Sequence, residues 1–402
     1  MTCARWIGRL ALCLVPCTTA GGQPPIAAPV ALGAPVARLG AAEERTGLRF
    51  EVLTEARVAT DGALHVYEAR SRQVRVFDAD GRLRWRTSGA RIDESIARFG
   101  RFAGNVQLAV HGDTLAALDY TRGFMRLHLF DRHTGQAIGD PARAIVAIDP
   151  APLRDAVFHD FDRFGDRWAI VVQRIDFNRS DGGALRYYPQ QEFDVYAIDP
   201  ALRSLGEPVW RWTGPQPLRD PDEEPAPSPF SAAPRVALVP PQRLVFAHPD
   251  SGVMWVNAEH GRDAISLRDW RRDVPNELLE RVYRGYRARF GDVFEQTARA
   301  YPRPALLPVV GLVRGAPNGA LLFTRRDLAL TLDRDDQLFF TVLREDGSTR
   351  GTFALPPGVF PLDFDGERVL GVRDDRARPL TKNAPDRYGV RYLKELVYFA
   401  LP

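Results

Sequence analysis

ATDGALHVYEARSRQVRVFDADGRLRW, residues Ala59–Trp85, reads as a Gly-containing turn, an apolar strand, a break, a second strand ending in Asp, and another Gly turn. Asp-Gly tolerates positive φ and is the strongest short hairpin signal. Val66, Val74, Val76, Leu83 and Trp85 carry the alternation and the β-branched or aromatic bias of half-buried strands. The pattern returns as VHGDTLAALDYTRGFMRLHLFDRHTG at Val110–Gly135, and looser copies start near Gly165, Pro241, Asn318 and Asp365. A repeated up-and-down strand unit cannot bury both faces alone, so the copies must close on one another.

Aligned, the copies form six units. Their second strands are predicted at 64–67, 114–118, 168–173, 243–247, 320–324 and 368–372, and their third strands at 74–77, 126–130, 193–198, 253–257, 338–343 and 395–399. LHVYE…RVFDADGRL in the first unit and GERVLGVRDD…LKELVYFAL in the last resemble the blade core of the six-bladed β-propellers of the NHL-like class, in particular the exported bacterial ones. The resemblance spans residues 47–402 and implies an all-β, six-bladed β-propeller. It departs from that family at residues 88–102, which lack a Gly-Pro-Gly-Glu-Phe-like segment.

The repeat register places every short turn on one face of the propeller. The long segments 176–191, 214–234, 272–303, 325–336 and 373–392 fall on the other, and loops on a rigid scaffold are where function resides. Within 273–300, between blades four and five, Asp273 is a good N-cap, Pro275 suits a first turn, and Leu278, Val282, Tyr286, Phe290 and Phe294 recur every four residues. That spacing predicts a helical insertion with one apolar stripe, laid over the propeller face or along blade four. The last unit stops after its third strand, so LRFEVL at 48–53 is predicted to supply the missing outer strand by pairing with 395–399.

Bulk composition narrows the partners. The 54 Lys and Arg against 51 Asp and Glu give a net charge of +3, with no field for nucleic acid. The three cysteines, Cys3, Cys13 and Cys17, all lie in the first twenty residues, so the body has no disulfide, Cys-zinc site or thiol chemistry. Residues 1–20 read as a secretory signal, with Arg5 and Arg9 before an apolar run at 10–15 that is too short to span a bilayer. A lipoprotein signal with lipid anchoring at Cys17 is the alternative. Residues 21–46, rich in Ala, Pro and Gly, read as a flexible linker. The expectation is an exported monomer, periplasmic or extracellular or else lipid-anchored, without a membrane span.

Two constellations carry candidate chemistry. An acid recurs at or just beyond the end of each second strand: Glu68, Asp119, Asp176, Asp250, Asp327 and Asp374. A subset could hold Ca2+ at the channel mouth through oxygen ligands. The competing reading is that each accepts backbone hydrogen bonds from the loop that follows it. Arg122, Arg186, Tyr188, Arg325, Arg387 and Tyr388 have the Arg–Tyr composition of a binding surface, although solvated pairing with nearby acids accounts for it too. His159 beside Asp160, and His248 near Asp250, are the pairs suited to acid–base work, against a structural reading as satisfied strand-end pairs. No nucleophile elbow, phosphate loop or zinc motif is present. The sequence therefore favours a non-enzymatic binding module for a protein, peptide or glycan, with no cofactor. The alternative is a Ca2+-dependent lactonase- or lyase-like enzyme with its site at the channel mouth.

Overall fold

The computed structural model describes residues 29–39, 50, 53–69, 71–87, 105–121, 124–138, 145–149, 153, 156–174, 192–198, 205–213, 235–248, 253–258, 261–266, seven positions between 276 and 287, 311–324, 338–373 and 395–402. Two short strands come first, β1 (Val30–Ala31) and β2 (Ala37–Leu39). Sheet 1 holds β3 (Leu53–Val58), β4 (Leu64–Glu68), β5 (Gln73–Phe77) and β6 (Leu83–Arg86). Sheet 2 holds β7 (Asn105–His111), β8 (Thr114–Thr121), β9 (Phe124–Asp131) and β10 (Ile145–Ile148). Sheet 3 holds β11 (Ala156–Phe164), β12 (Arg167–Arg174), β13 (Glu192–Ile198) and β14 (Trp210–Thr213). Sheet 4 holds β15 (Arg235–Val239), β16 (Arg243–His248), β17 (Val253–Ala258) and β18 (Gly261–Ser266). Sheet 5 holds β19 (Val313–Gly315), β20 (Leu321–Thr324), β21 (Phe339–Leu343) and β22 (Thr349–Ala354), with β1 added in parallel along its outer edge. Sheet 6 holds β23 (Val359–Phe364), β24 (Arg368–Arg373) and β25 (Glu395–Ala400), with β2 as its fourth strand.

Within each sheet the consecutive strands are antiparallel. The first strands pack side by side in the order β3, β7, β11, β15, β19, β23 and back to β3. That order is a ring of sheets around an axis, an all-β propeller. Six apolar clusters fill the spaces between neighbouring sheets. Tyr67, Val74 and Val76 meet Leu108 and Leu115 between sheets 1 and 2, for example, and Phe193 and Val195 meet Leu238 and Phe246 between sheets 3 and 4. Burying each such side chain is worth about 1.5–3 kcal/mol, so every interface contributes on its own. The turns follow their residues: Gly62 and Gly366 adopt φ of +82° and +103°, the left-handed region that Asp-Gly signals.

Two expectations for the N-terminal region are corrected. Within residues 21–46, read as a flexible linker, the described residues 30–31 and 37–39 form β1 and β2. The partner of β25 is Ala37–Leu39, antiparallel, with Ala37 opposite Tyr398 and Leu39 opposite Leu396. Leu53 instead begins β3, the inner strand of sheet 1. The physical reason is the ring itself. Residues 53–58 are needed next to the axis, so the closing outer strand has to come from farther upstream. The segment 30–39 thus straps sheet 5 to sheet 6. As for the insertion at 273–300, the described residues Asn276, Glu277, Leu279, Glu280, Tyr283, Arg284 and Arg287 are helical, and Leu279 is buried. All five predicted stripe residues, Leu278 to Phe294, lie outside the described residues.

One close approach can be tested directly. A Cβ on Gly315 would stand 2.7 Å from Val239 Cγ2 and 2.9 Å from the Leu238 carbonyl oxygen, where β19 meets β15. The obstacle is backbone, which cannot swing aside. Gly315→Ala is therefore expected to cost about 1–3 kcal/mol by forcing sheets 4 and 5 apart, read as a lowered urea midpoint. An unchanged midpoint would mean that the inner strands are not seated so closely.

Candidate functional site

The polar centre of the ring is built by three matching irregularities. β3, β11 and β23 each carry a bulge, between Leu53 and Glu55, Phe158 and Asp160, and Pro361 and Asp363. In each strand the residue just past the bulge is an acid. A bulge re-aims the following side chain, here with the same outcome three times over. Asp160 Oδ2 accepts the Leu238 backbone N–H of sheet 4 at 2.8 Å, and Asp363 Oδ2 accepts the Val58 N–H of sheet 1 at 2.8 Å. Each of these two aspartates thus pins the inner strand of the next sheet.

Arg57 joins them. Its Nε donates to the Leu108 carbonyl of sheet 2 at 2.8 Å and lies 3.0 Å from Glu55. Its two terminal nitrogens lie 3.3 Å from Asp160 Oδ1 and 3.5 Å from Asp363 Oδ1. Sheets 3 and 6 are three steps apart in the ring. A guanidinium that touches carboxylates from both must sit on the axis. Arg57, Asp160 and Asp363 are 6%, 3% and 3% exposed, so this is a buried charge cluster and not a surface pair. Arg314 Nε, from sheet 5, donates to the Leu362 carbonyl of sheet 6 at 3.1 Å, which brings all six sheets into the network.

Burial and charge set the protonation states. Burial alone would discharge Arg57, but Glu55, Asp363 and Asp160 outweigh it and hold the guanidinium firmly charged. Burial raises the carboxyl pKa of Glu55 and of Asp363, with Arg57 and Arg314 opposing it in both. Asp162, two residues beyond Asp160 on the same face of β11, is pushed up to about 7. Burial is the largest cause; Asp160 and Asp363 add to it, and Arg57 and the Arg163 N–H oppose it. Asp162 accepts that N–H at 2.8 Å and forms no ion pair with a described residue. Its side chain is partly buried.

The sequence-predicted residues fare differently. Glu68 ends β4, is 2% exposed, accepts the Ser71 N–H at 2.6 Å and lies 3.8 Å from Arg75. It does the turn-closing work of the competing reading. Asp119, wholly buried on β8, stands opposite Arg126 of β9. Asp176, Asp250, Asp327 and Asp374 lie outside the described residues, as do Arg122, Arg186, Tyr188, Arg325, Arg387 and Tyr388. Among the described residues no group of three or more His, Cys, Asp or Glu side chains is disposed to hold a metal ion. At the axis the reason is physical: the carboxylates of Asp160, Asp363 and Glu55 already converge on a resident cation, the Arg57 guanidinium. Ca2+ does not fit there.

His159 does not pair with Asp160. The bulge turns the two apart, and His159 Nε2 meets Gln173 Oε1 at 3.0 Å. Burial lowers its pKa to about 4, and those of His65 and His128 to about 3, so these rings are neutral at physiological pH. Asp162 is a carboxyl that burial pushes up to about 7. Its signal in the sequence was the repeated string Asp160-Phe161-Asp162 and Asp363-Phe364-Asp365, acids at period two within or just past the end of a first strand.

No family model matches the chain, and no curated protein matches it. Among solved structures it is similar to a member of the DUF4221 family from Bacteroides vulgatus, with a TM-score of 0.52 and 8% identity over 92% of this chain and 97% of that one. It is also similar to virginiamycin B lyase from Staphylococcus aureus, with a TM-score of 0.41 and 10% identity over 91% and 98% of the two chains. A third likeness is to regucalcin, a calcium-binding protein from Agrobacterium tumefaciens, with a TM-score of 0.37 and 12% identity over 92% and 97%. The first of these shows the propeller fold alone, and the other two carry nothing further.

Proposed function

We propose that the protein acts on a small ligand held on the propeller axis, with Asp162 moving a proton to or from it. The reading takes the five-stranded sheet as a blade with β1 added, making six, and keeps the expectation of an exported, monomeric, NHL-like propeller. It sides with the lactonase- or lyase-like alternative over a loop-face binding module, but without Ca2+. What supports it is one contrast: Glu55, Asp160 and Asp363 lie within ion-pair distance of Arg57, whereas Asp162 feels Arg57 only at longer range, is partly exposed, and is pushed up to about 7. A general acid or base works best when its pKa lies near the working pH, and contributes about 10²–10⁴-fold to rate. Elimination next to a carbonyl and water attack on a lactone both need such a group. Arg57 is a positioning residue: it fixes Asp160 and Asp363 beside Asp162, whose proton burial keeps on while the charge of Arg57 opposes it.

The test is a panel of lactones and of substrates prone to elimination, assayed with and without a chelator across pH 5–9. Turnover should follow an ionisation near 7, fall about 100-fold or more in Asp162→Asn, and be indifferent to the chelator. Turnover that survives Asp162→Asn, or that needs Ca2+, would contradict the assignment. Saturable ligand binding without turnover would return the protein to the non-enzymatic class.

A further inference from the structure

A second charged cluster lies away from the axis, on the face of sheet 3 turned toward sheet 2. Asp194 on β13 is wholly buried and stands opposite Arg211 of β14 in the register. Arg174, the last residue of β12, donates its Nε to Asp194 Oδ2, and Arg211 donates its Nε to Asp194 Oδ1 at 2.9 Å. The Tyr196 hydroxyl donates to Asp194 at 3.3 Å and accepts Arg174 Nη2 at 3.0 Å. One carboxylate therefore holds two guanidiniums by their inner edges. Their side chains are 46% and 51% exposed, and among the described residues the outer Nη edge of Arg211 and Arg174 Nη1 have no hydrogen-bond partner.

Asp194 holds both guanidiniums, and Glu192, two residues away on the same face of β13, also faces Arg211. Holding the two forks by their inner edges removes the rotamer entropy that exposed arginines ordinarily lose on binding. Paired planar forks of this kind match carboxylate and phosphate oxygens. Sheet 6 repeats the construction more loosely, with Glu395 held 2.9 Å from Arg373 and 3.7 Å from Arg38. From this geometry we infer that Arg174 and Arg211 form an anion-binding site for a carboxylate or phosphate group, independent of the axial centre.

The experiment titrates the full chain with inorganic phosphate and, separately, with succinate, at constant ionic strength against chloride, following binding by calorimetry and melting. Saturable binding is expected, weakened about tenfold or more in Arg211→Gln and in Arg174→Gln, in keeping with the loss of a charge-assisted bond. Binding of phosphate alone would narrow the ligand to phosphate esters; binding of both would keep the wider class. Arg211 is half exposed, so Arg211→Gln should melt close to the wild type without added anion. Absent saturation in the wild type, or equal affinity in both variants, would overturn the site. Asp162→Asn should leave this binding unchanged, which separates its failure from that of the axial reading.

Discussion

Arg57→Ala is expected to lower the unfolding free energy by about 3–5 kcal/mol, the cost of stranding buried carboxylates whose cation has been removed. Asp160 and Asp363 would each keep one backbone partner, Leu238 N–H and Val58 N–H, but lose the charge that compensates them. Arg57→Lys should recover only part of the loss. A single ammonium cannot reach Glu55, Asp160, Asp363 and the Leu108 carbonyl at once, as the guanidinium fork does. Urea unfolding of the three proteins measures this. A loss below about 1 kcal/mol would place Arg57 among ordinary solvated pairs. A chelator should leave the wild-type melting curve unmoved, since the axis already contains its cation.

Deleting residues 1–40 should cause aggregation or a large fall in melting temperature. The deletion strips β2 from β25 and β1 from β22, and each leaves an unpaired strand edge. It also removes Leu39, 3% exposed, which packs in the cluster between sheets 6 and 1 and lies against the Gly81 turn. Leu39→Ala is the milder version and should cost about 2–5 kcal/mol. Size-exclusion chromatography and thermal melting read both. A monomeric truncation with unchanged melting would show that the strap is dispensable.

What the sequence disclosed follows from where the local physics is strong. The second and third strands were legible because Asp-Gly and Asn-Gly turns bracket β-branched runs: residues 64–67 became Leu64–Glu68, and 395–399 became Glu395–Ala400. β2 was not. Ala37-Arg38-Leu39 is too short to display alternation, and its strand conformation comes from pairing with β25 rather than from propensity. The axial cluster was missed for a different reason. Acids at strand ends look like ligands in a sequence, yet Glu68 closes a turn. Acids inside apolar strands look like interruptions, yet Asp160 and Asp363 bind across the ring. Only the ring order reveals that sheets 1, 3 and 6 face one another across a single guanidinium.

The linkage of Asp162 to stability has a definite sign. Its folded pKa of about 7 lies above the ordinary aspartate value of 3.8, so between those limits the folded chain binds a proton that the unfolded chain does not. Lowering the pH from 8 toward 5 should therefore stabilise the wild type relative to Asp162→Asn. The decisive observation is the carboxyl 13C titration of aspartate-labelled protein, wild type against Asp162→Asn. One resonance should titrate near pH 7 and vanish in the variant. If every aspartate carboxyl titrates below about pH 5, Asp162 is an ordinary ionised side chain and the axial proton-transfer site does not exist.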